Sequence, residues 1–389
     1  MDKAKVMTFV KKYTMIIVLV LVMLFFGVGT KWMLFKPQNV TNLISQNAYV
    51  FVLATGMLLC ILTGGNIDLS VGSVVCFVGA VGATMMDKKI NVVAAVITML
   101  VVGLLIGAWQ AFWIAYVHVP PFITTLSGML VFRGLSNVVL NGMTVSVTSE
   151  SFQKVFGGGA NCYIPDVFGV EGFNLTCMLA GILACVIYVL IQVKNRLARV
   201  KKGYEVDSLA GMIVKTVIIC VAVCAVAYQL SNYKGIPTAL IWVLIVVLIY
   251  GYITSKTTIG RYFYAVGGNE KATKLSGINT NRVYFIAYTN MGLLAGLAGI
   301  LTIARLTSAQ PTYGQNYEMD AIGSCFIGGA SAYGGIGTVP GVIIGAVLMG
   351  VINLGMSIMG VDSNYQRVVK GLVLLAAVIF DVTTKKESK

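Results

Sequence analysis

Apolar stretches recur from Tyr13 to Phe380 with few charges between them, and this recurrence fixes the class of fold before any motif is read. Only 11% of the 389 residues are charged and 58% are hydrophobic, whereas charge makes up about a quarter of a soluble domain. The expected fold is all-α and polytopic, because a chain in hydrocarbon must satisfy its backbone polar groups internally. The net charge of +14 does not point to nucleic acid. Its Lys and Arg residues fall in a few loops and at both ends, as membrane topology requires.

Candidate spans begin with Thr14–Gly29, Leu43–Leu62, Val71–Met86, Val92–Val117, Phe122–Leu140 and Asn174–Val193. Met212–Leu230, Ala239–Thr254, Tyr284–Leu306, Ala321–Ser331, Val339–Met359 and Val368–Phe380 bring the number to about twelve. Lys3, Lys5, Lys11 and Lys12 precede the first apolar run, and no small-residue cleavage site follows it, so it is read as an uncleaved span. Val71–Met86 would reach only about 24 Å against a hydrocarbon core of about 30 Å. Such short, glycine-interrupted pieces resemble the discontinuous helices that transporters place around a midplane site.

Basic residues set the orientation. Lys194, Arg196, Arg199, Lys201 and Lys202 share loop 194–208. Lys256, Arg261, Lys271, Lys274 and Arg282 lie in 255–282, and Lys385, Lys386 and Lys389 in the tail. With twelve crossings and a cytoplasmic N-terminus, all of these fall in the cytoplasm, as does the C-terminus. The long opposite loop, 142–172, holds Glu150, Asp166 and Glu171 against Lys154. Lys88 and Lys89 fall on that outer side, so either they are tolerated there or Val71–Met86 does not fully cross.

Two internal echoes suggest an inverted repeat. Gly64-Gly65 before Gly72-Ser73-Val74 matches Gly328-Gly329 before Gly337-Thr338-Val339. Gly107, Gln110 and Phe122 match Gly350, Asn353 and Tyr365. The offsets differ, so at most one of the two reflects a repeat.

Catalysis finds little support. The single histidine, His118, sits beside Pro120-Pro121 at a span end and reads as an interfacial turn residue. No G-x-S-x-G, H-E-x-x-H or P-loop sequence occurs. Of eight cysteines, seven lie in apolar segments, where Cys behaves as a small hydrophobe. Cys220 and Cys224 share a helix face without a His or second Cys pair that would make a metal site. No metal is expected.

Two segments carry information. Thr63-Gly64-Gly65-Asn66-Ile67-Asp68-Leu69-Ser70-Val71-Gly72-Ser73 places a carboxylate among glycines between apolar spans. An ionisable group there costs roughly 2.5–3.5 kcal/mol on insertion scales, so it marks function or a tight structural pairing. In loop 255–282, Asn269 suits the cap of a short helix beginning at Glu270, and Gly277 suits its stop. Ala272, Leu275 and Ile278 would give that helix a small apolar face, either an ordinary connector or a docking surface for a cytoplasmic protein.

Gly65 through Ser73 resembles the G-G-I-D-L-S-V-G-S signature of the monosaccharide permeases of bacterial ABC importers, the ribose, xylose and galactose types. Val119-Pro120-Pro121-Phe122-Ile123-Thr124-Thr125-Leu126 with Phe132-Arg133-Gly134-Leu135 is similar to the family's next motif. Gly260-Arg261 through Gly277-Ile278 resembles its cytoplasmic coupling segment. Gly328-Gly329 to Gly341 and Gln366 to Gly371 resemble its C-terminal part. Two departures stand out. Asn66 occupies a place where glycine or a direct step to isoleucine is expected, and 173–236 reads as an added two-span hairpin. The extra length resembles the xylose and multiple-sugar branch.

The resemblance implies one transmembrane permease domain over 1–389 in the bacterial cell membrane, and a transport subunit rather than an enzyme. It implies a permease homodimer, cytoplasmic ABC ATPase subunits that bind ATP and Mg, and an extracytoplasmic sugar-binding protein. The ATPase-coupling residues would be Gly260, Arg261, Gly267, Gly268, Asn269, Glu270, Ala272, Leu275 and Gly277. Gly65, Asn66, Asp68, Ser70 and Gly72 would stand near the translocation path, with Asp68 read as holding a broken helix because a neutral sugar needs no counter-charge. Gln110, Asn137, Asn290 and Asn353 are amides that suit either sugar hydroxyls or interhelical bonds. Arg133, Lys215, Arg305 and Lys370 are expected to snorkel or pair near interfaces. The Gly103/Gly107 and Gly292/Gly296 spacings, followed by Gly299, suit close helix packing. The alternatives are an ABC permease for branched-chain amino acids or nucleosides, and an ion-coupled secondary transporter. The latter would need several intramembrane carboxylates, and Asp68 reads as nearly alone.

Overall fold

The structure, a computed structural model, describes the backbone of residues 3–169, 172–204, 206 and 208–386, and their side chains except for 3–14, 380 and 384–386. Lys3, Lys5, Lys11, Lys12, Glu171, Lys385, Lys386 and Lys389 lie outside the described side chains. The chain is almost wholly helical. In order come α1 (Lys3–Gly29), α2 (Pro37–Gln46), α3 (Ala48–Leu62), α4 (Val71–Asp87), α5 (Val92–Ala115), α6 (Pro121–Leu140), β1 (Val145–Ser146) and α7 (Glu150–Phe156). Then follow α8 (Leu175–Lys201), α9 (Leu209–Ser231), α10 (Thr238–Lys256), α11 (Thr258–Gly268), α12 (Glu270–Leu275) and α13 (Thr280–Leu306). The chain closes with β2 (Ser308–Ala309), α14 (Tyr317–Ile327), α15 (Val339–Ile358) and α16 (Ser363–Lys386). Polar caps set many of the starts: Asn91, Asn174, Ser208, Asn279 and Thr338 each accept a bond from an orphan amide of the first turn.

Among the described residues, seven helices are long and apolar enough to cross a membrane, or eight if α2 and α3 count as one bent span. This is a multi-pass membrane protein. The shortfall from about twelve has a plain cause. The described apolar part of α1, Met15–Gly29, and α4 are short. At 11 residues, α14 reaches only about 17 Å, too little for a hydrocarbon core of about 30 Å. The expected span Ala321–Ser331 is therefore a buried half-helix.

Two compact units make up the chain. The larger comprises Met1–Leu34, Leu43–Cys162 and Ala239–Lys389. Its centre is α13, packed against α3, α4 and α5, with Met291, Ala295, Ala298 and Ile300 fully buried. Gly103 and Gly107 of α5 lie against the backbone of Gly292 and Gly296, the close approach their spacing predicts.

Contacts fix the directions within this unit. Cys60 of α3 meets the Ala287 carbonyl while Gly56 faces Met291, so α3 runs against α13, toward α11 and α12. Gly299 meets Val75 and Gly79 meets Ile303, so α4 runs back alongside α13. α5 descends again, with Met99 beside Gly296 and Gly107 beside Tyr288. β1 beyond α6 pairs with β2 beyond α13, Val145 opposite Ala309, on the side away from α11. Tyr49 bonds Asp320 and the Ala54 carbonyl meets Cys325, so α14 runs with α3, and α15 returns with Gly341 on Gly328 and Gly345 on Ser324. Lys88 and Lys89 therefore sit, exposed, just past the far end of α4, on the side away from α11 and α12.

These directions decide between the two echoes. The match of 64–74 with 328–339 relates α3–α4 to α14–α15, and α3 and α14 run the same way. It is not an inverted repeat. The other match, with an offset of 243 residues from Gly107 to Gly350, carries α3 onto the C-terminal part of α13, α4 onto α14, α5 onto α15 and α6 onto α16. Members of each pair run in opposite directions, as an inverted repeat requires. Packing repeats too: Gly107 lies against Gly292, and its counterpart Gly350 lies against Asn47, the residue that precedes α3.

The smaller unit comprises Phe35–Asn42 and Tyr163–Thr238. Here α8 and α9 form the hairpin expected over 173–236. Their opposite ends meet where the Asn174 amide bonds the Ser231 carbonyl, and Gly181 accommodates Ala227. Leu183, Leu190, Ile218 and Val221 are exposed on the hairpin, an apolar surface suited to hydrocarbon.

Candidate functional site: two helix breaks and the segment that touches both

The first break is the stretch 63–70 between α3 and α4. Leu62 ends α3, and Gly64 and Gly65 turn the chain with φ of +121° and +76°. At Gly65 a Cβ would overlap the carbonyl of Ala332, so both the conformation and the close approach demand glycine. The Asn66 amide donates to the Thr63 carbonyl at 3.3 Å, which closes the end of α3. Asp68 is buried, and one carboxylate oxygen accepts from the Ser70 amide at 2.8 Å and from its hydroxyl at 2.6 Å. Gln110 of α5 donates to the same hydroxyl at 2.8 Å. The backbone nitrogen of Asp68 lies 3.4 Å from Sδ of Met57, whose neighbour Gly56 faces Met291 in the middle of α13. Asp68 thus sits near mid-bundle depth, held in a chain of bonds that joins the break to α5.

The second break, 328–338, lies between α14 and α15 and meets the first. The Gly335 amide donates to the Leu62 carbonyl at 3.1 Å, and Gly334 packs on Gly64. Asp381 of α16 accepts from the Ala332 amide at 3.1 Å. Into this junction comes the end of α11. Gly267 lies against the Leu62 carbonyl and the Gly335 amide, and the Tyr264 hydroxyl donates to the Gly337 carbonyl at 2.8 Å. Asn269 caps α12 by accepting from the Ala272 amide at 2.9 Å, and Gly277 closes it at φ +83°. Thr273 turns inward to the Ala265 carbonyl, Glu270 accepts from Tyr284 at 3.1 Å, and Ala272 and Leu275 face outward. Leu275 is 89% exposed, an apolar side chain presented on a six-residue helix. Gly260 packs on the end of α10 at Thr254, while Arg261 and Gly268 are exposed.

The four span amides are not gathered in one place. Gln110 joins the Asp68–Ser70 chain. Asn290 accepts from Tyr250 at 2.8 Å and donates to the Ile286 carbonyl, tying α10 to α13. Asn353 reaches Asn47 at 3.4 Å, and Asn137 is exposed on α6.

The profile described as "Branched-chain amino acid transport system / permease component" matches residues 39–378. The chain belongs to this permease family. It is 37% identical over 376 residues to the xylose transport system permease protein XylH of Haemophilus influenzae, covering 96% of this chain and 97% of that one. It is 35% identical over 378 residues to XylH of Escherichia coli, with 97% and 93% covered. The ribose import permease protein RbsC of Escherichia coli is 36% identical over 348 residues, with 89% and 86% covered. No solved structure matches significantly.

The permease also holds a buried carboxylate that sequence reasoning passed over. Asp320, 1% exposed on α14, pairs with Lys370 of α16 at 2.9 Å and accepts from Tyr49 of α3 at 2.7 Å. Tyr49 stacks on Tyr317 with ring centroids 3.6 Å apart. Asp68 is therefore not a lone intramembrane carboxylate. Asp320 is neutralised by its own lysine. The signal was present: Glu318 and Asp320 sit in the first turn of α14, where acidic residues favour a helix start, just before the candidate span at Ala321. Arg133 of α6 does not snorkel. Its Nη1 donates to the carbonyls of Pro311 at 3.0 Å and Tyr313 at 2.6 Å.

Proposed function

We propose that this chain is the membrane permease of an ATP-driven importer of a monosaccharide, xylose being the first sugar to test. The observation that carries the mechanism is the contact of Gly267 with both Leu62 and Gly335. A cytoplasmic ATPase that grips α12 through Ala272 and Leu275 would move α11, and α11 abuts both helix breaks. Rearrangement of the breaks would then open the bundle on alternate sides. ATP and Mg bind the ATPase subunits, and this chain supplies no catalytic group. Two copies of the permease, a sugar-binding protein outside and lipid around the spans complete the assembly. The segment 255–282 and both chain ends face the cytoplasm. The hairpin 173–236 is an addition to the single permease domain rather than part of the coupling route.

Xylose is preferred because the xylose relatives match over nearly the full length of both chains, whereas the branched-chain amino acid reading rests on the name of the wider family. The test is uptake of labelled xylose, ribose and leucine by proteoliposomes holding the permease with its ATPase and binding protein. Sugar uptake that requires ATP supports the reading. Leucine uptake alone, or uptake driven by a proton gradient without ATPase, rejects it.

A further inference from the structure

On the half of the bundle away from α11 and α12, a cavity of about 240 Å³ is lined by Ser73, Arg133, Gln315, Asn316, Glu318 and Arg367, together with Met129 and Leu130. The volume falls below the roughly 300–1,000 Å³ of sites for drug-sized ligands, which suits a smaller ligand such as a sugar. The site is built rather than incidental. Ser73 is 1% exposed, and its hydroxyl has no hydrogen-bond partner among the described residues. A buried hydroxyl in that state costs free energy until a ligand bonds it. Arg133 is held by two carbonyls through Nη1, which fixes the direction of its guanidinium. Gly72 lies against the Gly314 carbonyl and the Glu318 carboxylate, and any Cβ there would displace them. The glycine next to Ser73 in the 65–73 motif thereby keeps the cavity's acid in place.

We propose that this cavity holds vicinal hydroxyls of the sugar during transit. The inference deepens the functional reading above and rests on it. A carboxylate accepts from two adjacent hydroxyls, and a guanidinium donates to two in a planar fork. Glu318 and Arg133, with Arg367 on the same lining, therefore offer both halves of polyol recognition.

The test is a cycle of variants and sugars in the complete reconstituted importer. Initial uptake of xylose and of its 2-, 3- and 4-deoxy analogues is measured for wild type and for Glu318→Gln. Discrimination by the binding protein cancels when each analogue's wild-type-to-variant ratio is divided by that for xylose. Glu318→Gln should lower xylose uptake on the order of tenfold, and for at least one deoxy analogue the ratio should fall close to one. Stimulated ATP hydrolysis should persist in the variant, which separates sugar handling from assembly. Equal ratios for every analogue overturn the inference while leaving the importer reading intact. Failure of wild type to take up any sugar overturns both. If Glu318→Gln fails to assemble, the exposed Arg367→Gln supplies the same cycle with the same two outcomes.

Discussion

Gly267, one residue from the end of α11, lies so close to the carbonyl oxygen of Leu62, the last residue of α3, that no Cβ fits between them. The same atom position would also meet the Gly335 amide, which itself bonds Leu62. Movement imposed on α11 from outside the bundle therefore reaches two broken helices through backbone contact, without an intervening flexible side chain.

Gly267→Ala should uncouple the two ends of this route. The added methyl must push apart three backbone segments, at a cost of about 1–3 kcal/mol. Gly268→Ala, where nothing lies within 4 Å, is the matched control. Uptake should fall at least several-fold for Gly267→Ala and stay near wild type for Gly268→Ala. Equal behaviour of the two would remove the contact from the mechanism.

Leu275→Arg should weaken capture of the ATPase by about tenfold or more, because the exposed leucine is the apolar anchor of a small docking helix. Pull-down of ATPase by the detergent-solubilised permease reads this directly. Folding should be unaffected, since Leu275 packs against little in the permease itself. An unchanged pull-down would move the docking surface elsewhere.

Asp320→Asn should destabilise the permease by about 3 kcal/mol, because it leaves the Lys370 ammonium without its carboxylate inside the bundle. Lys370→Met should cost a similar amount by stranding Asp320. The double variant should cost less than the sum of the two. Thermal unfolding in detergent, followed by loss of the monodisperse peak, measures all three. Strict additivity would show that the pair is not coupled.

At Asp68 a single carboxylate oxygen takes both bonds from Ser70. Asp68→Asn retains an acceptor oxygen in that place and should be tolerated. Asp68→Ala strands the Ser70 amide, while its hydroxyl keeps Gln110; the loss costs about 1–3 kcal/mol and should lower the yield of folded permease. Equal yields of the two variants would show that the bonds do not hold the break.

Much of this was legible in the sequence because local chemistry dictated it. Asn269 and Gly277 bound α12 as cap and stop, and the facing glycines of α5 and α13 follow from spacing alone. The 243-residue echo was visible, but choosing it over its rival required helix directions, which only tertiary contacts such as Cys325 on Ala54 supply. The Asp320–Lys370 pair joins residues fifty positions apart across three helices. Nothing in the local pattern near Lys370 announces its partner. The cavity at Ser73 escaped for the same reason: its lining comes from α4, α6, the 315–318 segment and α16, and only tertiary packing brings them together.

The most direct test of the account is ATP-dependent uptake of labelled xylose into proteoliposomes that hold the wild-type permease, its ATPase and its binding protein. The account predicts accumulation that needs ATP and binding protein together and collapses with Gly267→Ala. Accumulation that proceeds without ATPase under a proton gradient, or no sugar accumulation at all, would contradict it.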